Sequence, residues 1–343
     1  MQKKAGGAII LLYQENDLYG MQKCDKEEHM GTKDVSAREF IADNRRFADV
    51  INFYLYAGRR VIVPWDLAEQ DTAEALTIFG IRDKDVGIQK WRDVLKRVII
   101  KTAKGCIYAI VGIENQTQVH YAMTVKTMLY DAINYGNQVN EAAKLHREQG
   151  DFSDGAEFLS GIKAGDKLTP VVTVTLYWGD DAWDAPRSLH EMLNTQDRVI
   201  LRHVPNYRLN LIAPIEIEDF SLFETSVGEV LEMIKAAKDN EAMNRLLRTN
   251  KAYEGLENEA VRVISLFTGI TVEVNEKEGK TNMCKAWEEQ ELKGIEKGRK
   301  EGIEKGRIES IARVLQTGTE EDAVRFLEAT QEELEKAREL MKG

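Results

Sequence analysis

Two runs rich in β-branched and aliphatic residues, 92–102 and 106–113, are joined by only Ala103-Lys104-Gly105. So short a link, with a glycine free to take positive φ, makes the pair a β-hairpin. The next element, residues 121 to about 148, carries Val125, Met128, Leu129, Ala132, Ile133, Val139 and Ala143 at helical intervals, which predicts a long amphipathic helix packed back on the hairpin. A third strand is expected at Val171-Val172-Thr173-Val174-Thr175-Leu176-Tyr177, ending in the loop Trp178-Gly179-Asp180-Asp181. Upstream, the run from Ser36 places Phe40, Phe47, Val50, Ile51 and Tyr54 at mostly helical spacing, with a break at Asp43-Asn44. Helix, two antiparallel strands, helix and strand in this order give an α/β fold with a mixed sheet flanked by helices.

The remaining elements are a short apolar strand at residues 209–214, a helix over 227–247 and a last strand or helix at 261–274. Residues 1–30 show no sustained periodicity and read as an N-terminal extension; 31–275 form the domain, and 276–343 a charged tail ending in a helical segment at 319–340. Within the tail, glycine recurs at Gly294, Gly298, Gly302 and Gly306. Each costs a helix about 1 kcal/mol relative to alanine, so the tail is either a helix stabilised by a partner, which suggests a homo-oligomer, or a flexible linker.

The 43% apolar content supports a buried core, and the apolar stretch at residues 8–13 is too short to span a membrane. Cys24, Cys106 and Cys284 are odd in number and widely spaced, which speaks against a disulfide framework or zinc knuckle and makes the cytoplasm the expected compartment. A net charge of −11 excludes binding of nucleic acid by bulk electrostatics, so any contact with DNA is local. The basic stretch between Arg82 and Lys104, eight cations against three acids, is one such place or simply a solvated strand face. No Gly-x-x-x-x-Gly-Lys, Gly-x-Ser-x-Gly or His-Glu-x-x-His occurs, which leaves nucleotide-hydrolysing, serine-hydrolase and zincin chemistries unsupported.

The hairpin itself supplies carboxylates. Glu114 and Gln116, two apart at the end of its second strand, share a face. Counting outward from a three-residue turn brings Asp93 opposite Asn115, and a two-residue turn is expected to bring it opposite Gln116, the pairing that aligns all three without a bulge. Phosphodiester cleavage with a divalent ion needs converging carboxylate oxygens and a group that positions water, and these three residues could meet that need.

Taken together, Trp91-Arg92-Asp93-Val94-Leu95, Gly112-Ile113-Glu114-Asn115-Gln116-Thr117, residues 122–130 and residues 170–180 resemble the Rpn family of recombination-promoting nucleases, also described as YhgA-like transposases. The resemblance runs from about Asp34 to Thr268 and extends to the glycine-repeat tail. It implies a restriction-endonuclease-like fold of the PD-(D/E)XK superfamily and DNA cleavage with Mg²⁺, or Mn²⁺ as an alternative. Asp93 and Glu114 then match the metal ligands, and Gln116 stands where the wider superfamily has lysine. A glutamine orients water by hydrogen bonds but brings no charge; Lys126, on the following helix, matches a basic position and is the candidate for supplying it. Asp34 and Glu39 are candidates for an outer metal ligand and His120 for a proton shuttle, each with an alternative as an ordinary surface residue.

Overall fold

The computed structural model describes residues 25–69, 73–77, 87–91, 93–102 and 105–342. The chain opens with helices α1 (Asp25–Ala42) and α2 (Asn44–Tyr56), followed by strands β1 (Leu67–Glu69), β2 (Ala73–Thr77), β3 (Gly87–Trp91), β4 (Val94–Thr102) and β5 (Gly105–Gln116). Next come α3 (Met123–Gln149), α4 (Gly155–Ser160), β6 (Val171–Tyr177), α5 (Leu189–Met192), α6 (Arg198–Leu201) and β7 (Asn210–Ile212). The chain continues through α7 (Val227–Ala236), α8 (Asn240–Thr249), β8 (Leu256–Glu257), α9 (Asn258–Thr268), β9 (Lys280–Thr281), α10 (Met283–Thr317), α11 (Glu320–Leu327) and α12 (Gln331–Lys342).

One five-stranded sheet, in the order β1-β4-β5-β6-β7, organises the domain. β1, β4 and β5 are antiparallel neighbours, whereas β5, β6 and β7 run parallel, so the sheet is mixed as expected. The parallel step from β5 to β6 requires a crossover, and α3 provides it. Strand alternation sorts the side chains into two layers. Val94, Val98, Val111, Ile113, Val174 and Leu176 join the large core with Phe40, Phe47, Ile51, Val230 and Ile264, while Leu95, Ile110 and Val171 meet Tyr135 of α3 on the opposite face.

Local chemistry explains where the elements stop. Asp43 breaks α1 from α2 where the sequence suggested, because its carboxylate accepts the Arg45 and Arg46 amides as an N-cap. The following turn needs Gly58, at φ 77°, since a Cβ there would lie 2.7 Å from the Leu222 carbonyl oxygen. The expected single helix over 227–247 is two, because Asp239 caps a new start by accepting from Glu241 N and Ala242 N. The segment 261–274 resolves into α9, which stops at Gly269 in the left-handed region.

Regular structure continues past residues 31 and 275, the expected domain limits. Helix α1 begins at Asp25, ahead of residue 31, and residues 1–24 lie outside the described residues. At the other end Thr281 pairs with Leu256, Met283 is fully buried in the main core, and Trp287 donates to Asn244 Oδ1. The tail is a continuous 35-residue helix, not a flexible linker, and its C-terminal part forms a small core of its own with α11 and α12 around Ile311, Ala323, Leu334 and Ala337. The final segment 319–340 likewise splits into two helices.

Candidate active site

The hairpin connection is two residues, 103 and 104, since Thr102 pairs with Gly105. Neither expected pairing of Asp93 therefore holds. The ladder ends at Val94 opposite Ile113, so one further step outward brings Asp93 level with Glu114. The parity is the useful one: opposite residues of an antiparallel pair share a face, so Asp93, Glu114 and Gln116 belong to the face covered by α3 without a bulge.

Asp93 continues the ladder with its side chain where the backbone pairing ends, its Oδ2 accepting the Asn115 amide at 2.7 Å. Burial pushes its carboxyl above the ordinary aspartate range; the Asn115 N–H and the cations Lys126 and Arg38 oppose that shift, and Asp34 adds to it. Glu114 is 1% exposed, lies opposite Thr175 of β6, and pairs through Oε2 with Lys126 Nζ at 3.1 Å. Lys126 reaches it from the first turn of α3 while its side chain keeps 30% exposure. The structure thus brings Asp93, Glu114 and Lys126 to one strand end, with the ammonium offsetting one of two carboxylates.

Gln116 shares that face, and its amide nitrogen donates to the Asn115 carbonyl at 2.8 Å. Asn115 points the other way, where its Oδ1 accepts the buried Trp178 indole N–H at 2.9 Å while Trp178 N donates to Gln116 O. Trp178 packs edge-on to Phe40 and stacks on Phe267, so the strand end carrying the carboxylates is anchored from behind.

Helix α1 contributes two further groups. Asp34 accepts from Thr117 Oγ1 at 2.8 Å, and Arg38, one turn on, acts on Asp93 through its charge. Arg38 was missed in the sequence; the signal available was its i+4 spacing from Asp34, which puts both on one helix face. Glu39 and His120 are exposed, and the His120 carbonyl accepts the first amide of α3. Asp180 and Asp181 share Lys238, at 3.2 and 2.5 Å, so that loop is an ion-paired turn.

The basic stretch is not one continuous charged face. Lys96 is 1% exposed and Lys101 pairs with Asp66, while the side chains of residues 82–92 and 102–105 lie outside the described residues.

The donor set suits a hard divalent cation. Among the described residues no cluster of three or more His, Cys, Asp or Glu side chains could hold a metal. Two carboxylates are nonetheless what Mg²⁺ characteristically takes, because it retains several waters. Asp93 and Glu114 fit that requirement.

A family model described as "Putative transposase, YhgA-like" matches residues 88–260, half of the chain. The chain belongs to this YhgA-like family. The match runs from β3 into α9 and contains Asp93, Glu114, Gln116 and Lys126. Membership gives the chain a transposase-like role, for which DNA is the partner. No curated protein and no solved structure matches it. Among the described residues no helix is long and apolar enough to cross a membrane.

Proposed function

We propose that this YhgA-like protein is a metal-dependent DNA endonuclease of the PD-(D/E)XK type, associated with recombination or mobile elements. The observation that carries the reading is the buried Glu114 carboxylate, level with Asp93 at the end of β4–β5 and ion-paired with Lys126. Burying carboxylates at one strand end costs stability, and such sites are retained where charge has a task. Asp93 and Glu114 hold Mg²⁺, or Mn²⁺ in its place. When bound, such an ion polarises a phosphoryl oxygen and lowers the pKa of attached water. Lys126, solvent-accessible on one side, stabilises negative charge on the phosphate, which restores the cation that Gln116 lacks. Gln116 orients the attacking water by hydrogen bonding.

Cleavage of supercoiled plasmid by the full chain, with Mg²⁺, with EDTA and with Glu114→Gln in parallel, tests this. Metal-dependent nicking lost in the variant supports it. A folded protein that binds DNA but never nicks it would instead be a non-catalytic DNA-binding member of the same fold.

The same reading extends to the tail. Along the exposed stretch of α10, Gly298, Gly302 and Gly306 form a stripe on the side of exposed Ile295, a face for a second copy of the chain, and two copies would supply the two sites that double-strand cleavage needs.

A further inference from the structure

Between β6 and β7 the chain makes an excursion over residues 189–207 that leaves and returns at one point. Leu189 N donates to Tyr207 O and Leu209 N to Arg187 O, both at 2.8 Å, and Ser188 bridges Arg208. Its base is bolted to α3 on either side of Lys126. Thr124 Oγ1 donates to Pro186 O at 3.0 Å, and Tyr207 OH donates to Asp131 Oδ2 at 2.7 Å. Thr124 and Lys126 are about 3 Å apart along the helix axis, so the excursion is rooted within one turn of the candidate site.

Its two acids accept local hydrogen bonds from neutral donors, which hold them in place. Glu191 accepts from Arg187 N and Ser188 Oγ, and Asp197 caps α6 by accepting from Val199 N and Ile200 N. The arginines of the excursion, and Arg208 at its base, make no such contacts. Arg198, Arg202 and Arg208 are exposed, and none forms an ion pair or side-chain hydrogen bond with a described residue, whereas Arg46, Arg187, Arg262, Arg307 and Arg338 all do. In a chain of net charge −11, residues 198–208 carry three arginines and no acid, so the stretch is locally basic. Val199 and Ile200 stand between Arg198 and Arg202 in the chain and are 65% and 51% exposed, an apolar pair left open to solvent.

We propose that this excursion is an arm that holds duplex DNA beside the cleavage point. Arg198, Arg202 and Arg208 contact backbone phosphates, and Val199 and Ile200 seat against the groove wall between them, the combination used by proteins that grip DNA through its backbone with an apolar wedge. The partner follows from charge complementarity and from the position of the arm's root. The proposal rests on the nuclease reading for where the DNA lies, but its test does not require cleavage.

Binding of a labelled 30-base-pair duplex to the full chain in EDTA is followed across a salt series. For Arg198→Ala/Arg202→Ala/Arg208→Ala, the slope of log K against log salt flattens by up to about 2.7, since each phosphate contact contributes about 0.9. Affinity falls by at least tenfold at low salt. For Val199→Ser/Ile200→Ser, affinity falls and the slope stays, a signature that loss of fold does not give. Wild-type slope and affinity in both variants, or a wild-type chain that binds no duplex, would overturn the arm. A wild-type chain that binds through it but cleaves under no condition would leave the arm standing and remove the nuclease reading.

Discussion

Two lysines on opposite faces of one sheet have been put to different uses. Lys96 of β4 faces the α1–α2 layer, where its Nζ donates to Ala42 O at 2.6 Å and to Asn44 Oδ1, and lies 5.3 Å from the centre of the Phe47 ring. Those acceptors are the end of α1 and the start of α2, so this cation closes a helix junction onto the sheet. Burial lowers its pKa, an effect the carboxylates of Glu69 and Asp43 oppose. Lys126 faces the other layer and pairs with a carboxylate beside Asp93 while part of its side chain meets solvent. A charge whose partners define the fold is a structural device, and a charge paired at an open strand end is free to exchange partners.

This contrast predicts effects that cross. Glu114→Gln is expected to lower metal-dependent nicking by about 100-fold or more while leaving the urea midpoint within error or higher, because the variant removes a buried charge. Lys96→Met should do the reverse, losing about 2–3 kcal/mol in urea unfolding since Ala42 O and Asn44 Oδ1 both lose their donor, with nicking per folded molecule unchanged. If Lys96→Met abolishes nicking at full stability, the contrast between the two faces is wrong.

Asp93 sharpens it. Because burial raises its carboxyl above the ordinary value, the native state holds that proton to higher pH than the unfolded chain, and the group's contribution to stability falls as pH rises from the ordinary aspartate range through the raised value. Asp93→Asn, which keeps an acceptor for the Asn115 amide, should flatten that slope in metal-free unfolding curves and be more stable than the wild type at neutral pH. The acid limb of wild-type nicking should also sit above the ordinary aspartate value. An unchanged stability–pH slope in the variant would argue against a desolvated carboxylate.

The smallest effects belong to the tail. A Cβ at Gly298 or Gly302 meets nothing within 4 Å, so each change to alanine should strengthen α10 by about 1 kcal/mol or less. If a second copy packs on that face, the same changes weaken the dimer in sedimentation, and loss of the tail after Trp287 abolishes it. A monomeric full chain would remove that role.

Much of the fold was legible because it is written in local periodicity. β6 falls on the seven residues expected, Val171–Tyr177, α3 runs 123–149 against an expected 121–148, and the break at Asp43 stands where a capping residue precedes a helical run. Strands β1, β2 and β3, of three to five residues each, carry too few alternations to stand out. The candidate carboxylates were visible as residue types, yet the register that unites them was not, since a one-residue difference in turn length shifts every partner by one.

By itself, then, the sequence determined which segments become helix and strand, because each carries its own hydrophobic period and its own caps. Tertiary structure alone decided that Asp93 stands level with Glu114, that Lys126 reaches Glu114 at 3.1 Å, and that Arg198, Arg202 and Arg208 have no ion-pair partner among the described residues. A charge's role depends on what folding brings within a few ångströms of it, and sequence spacing contains no such distance.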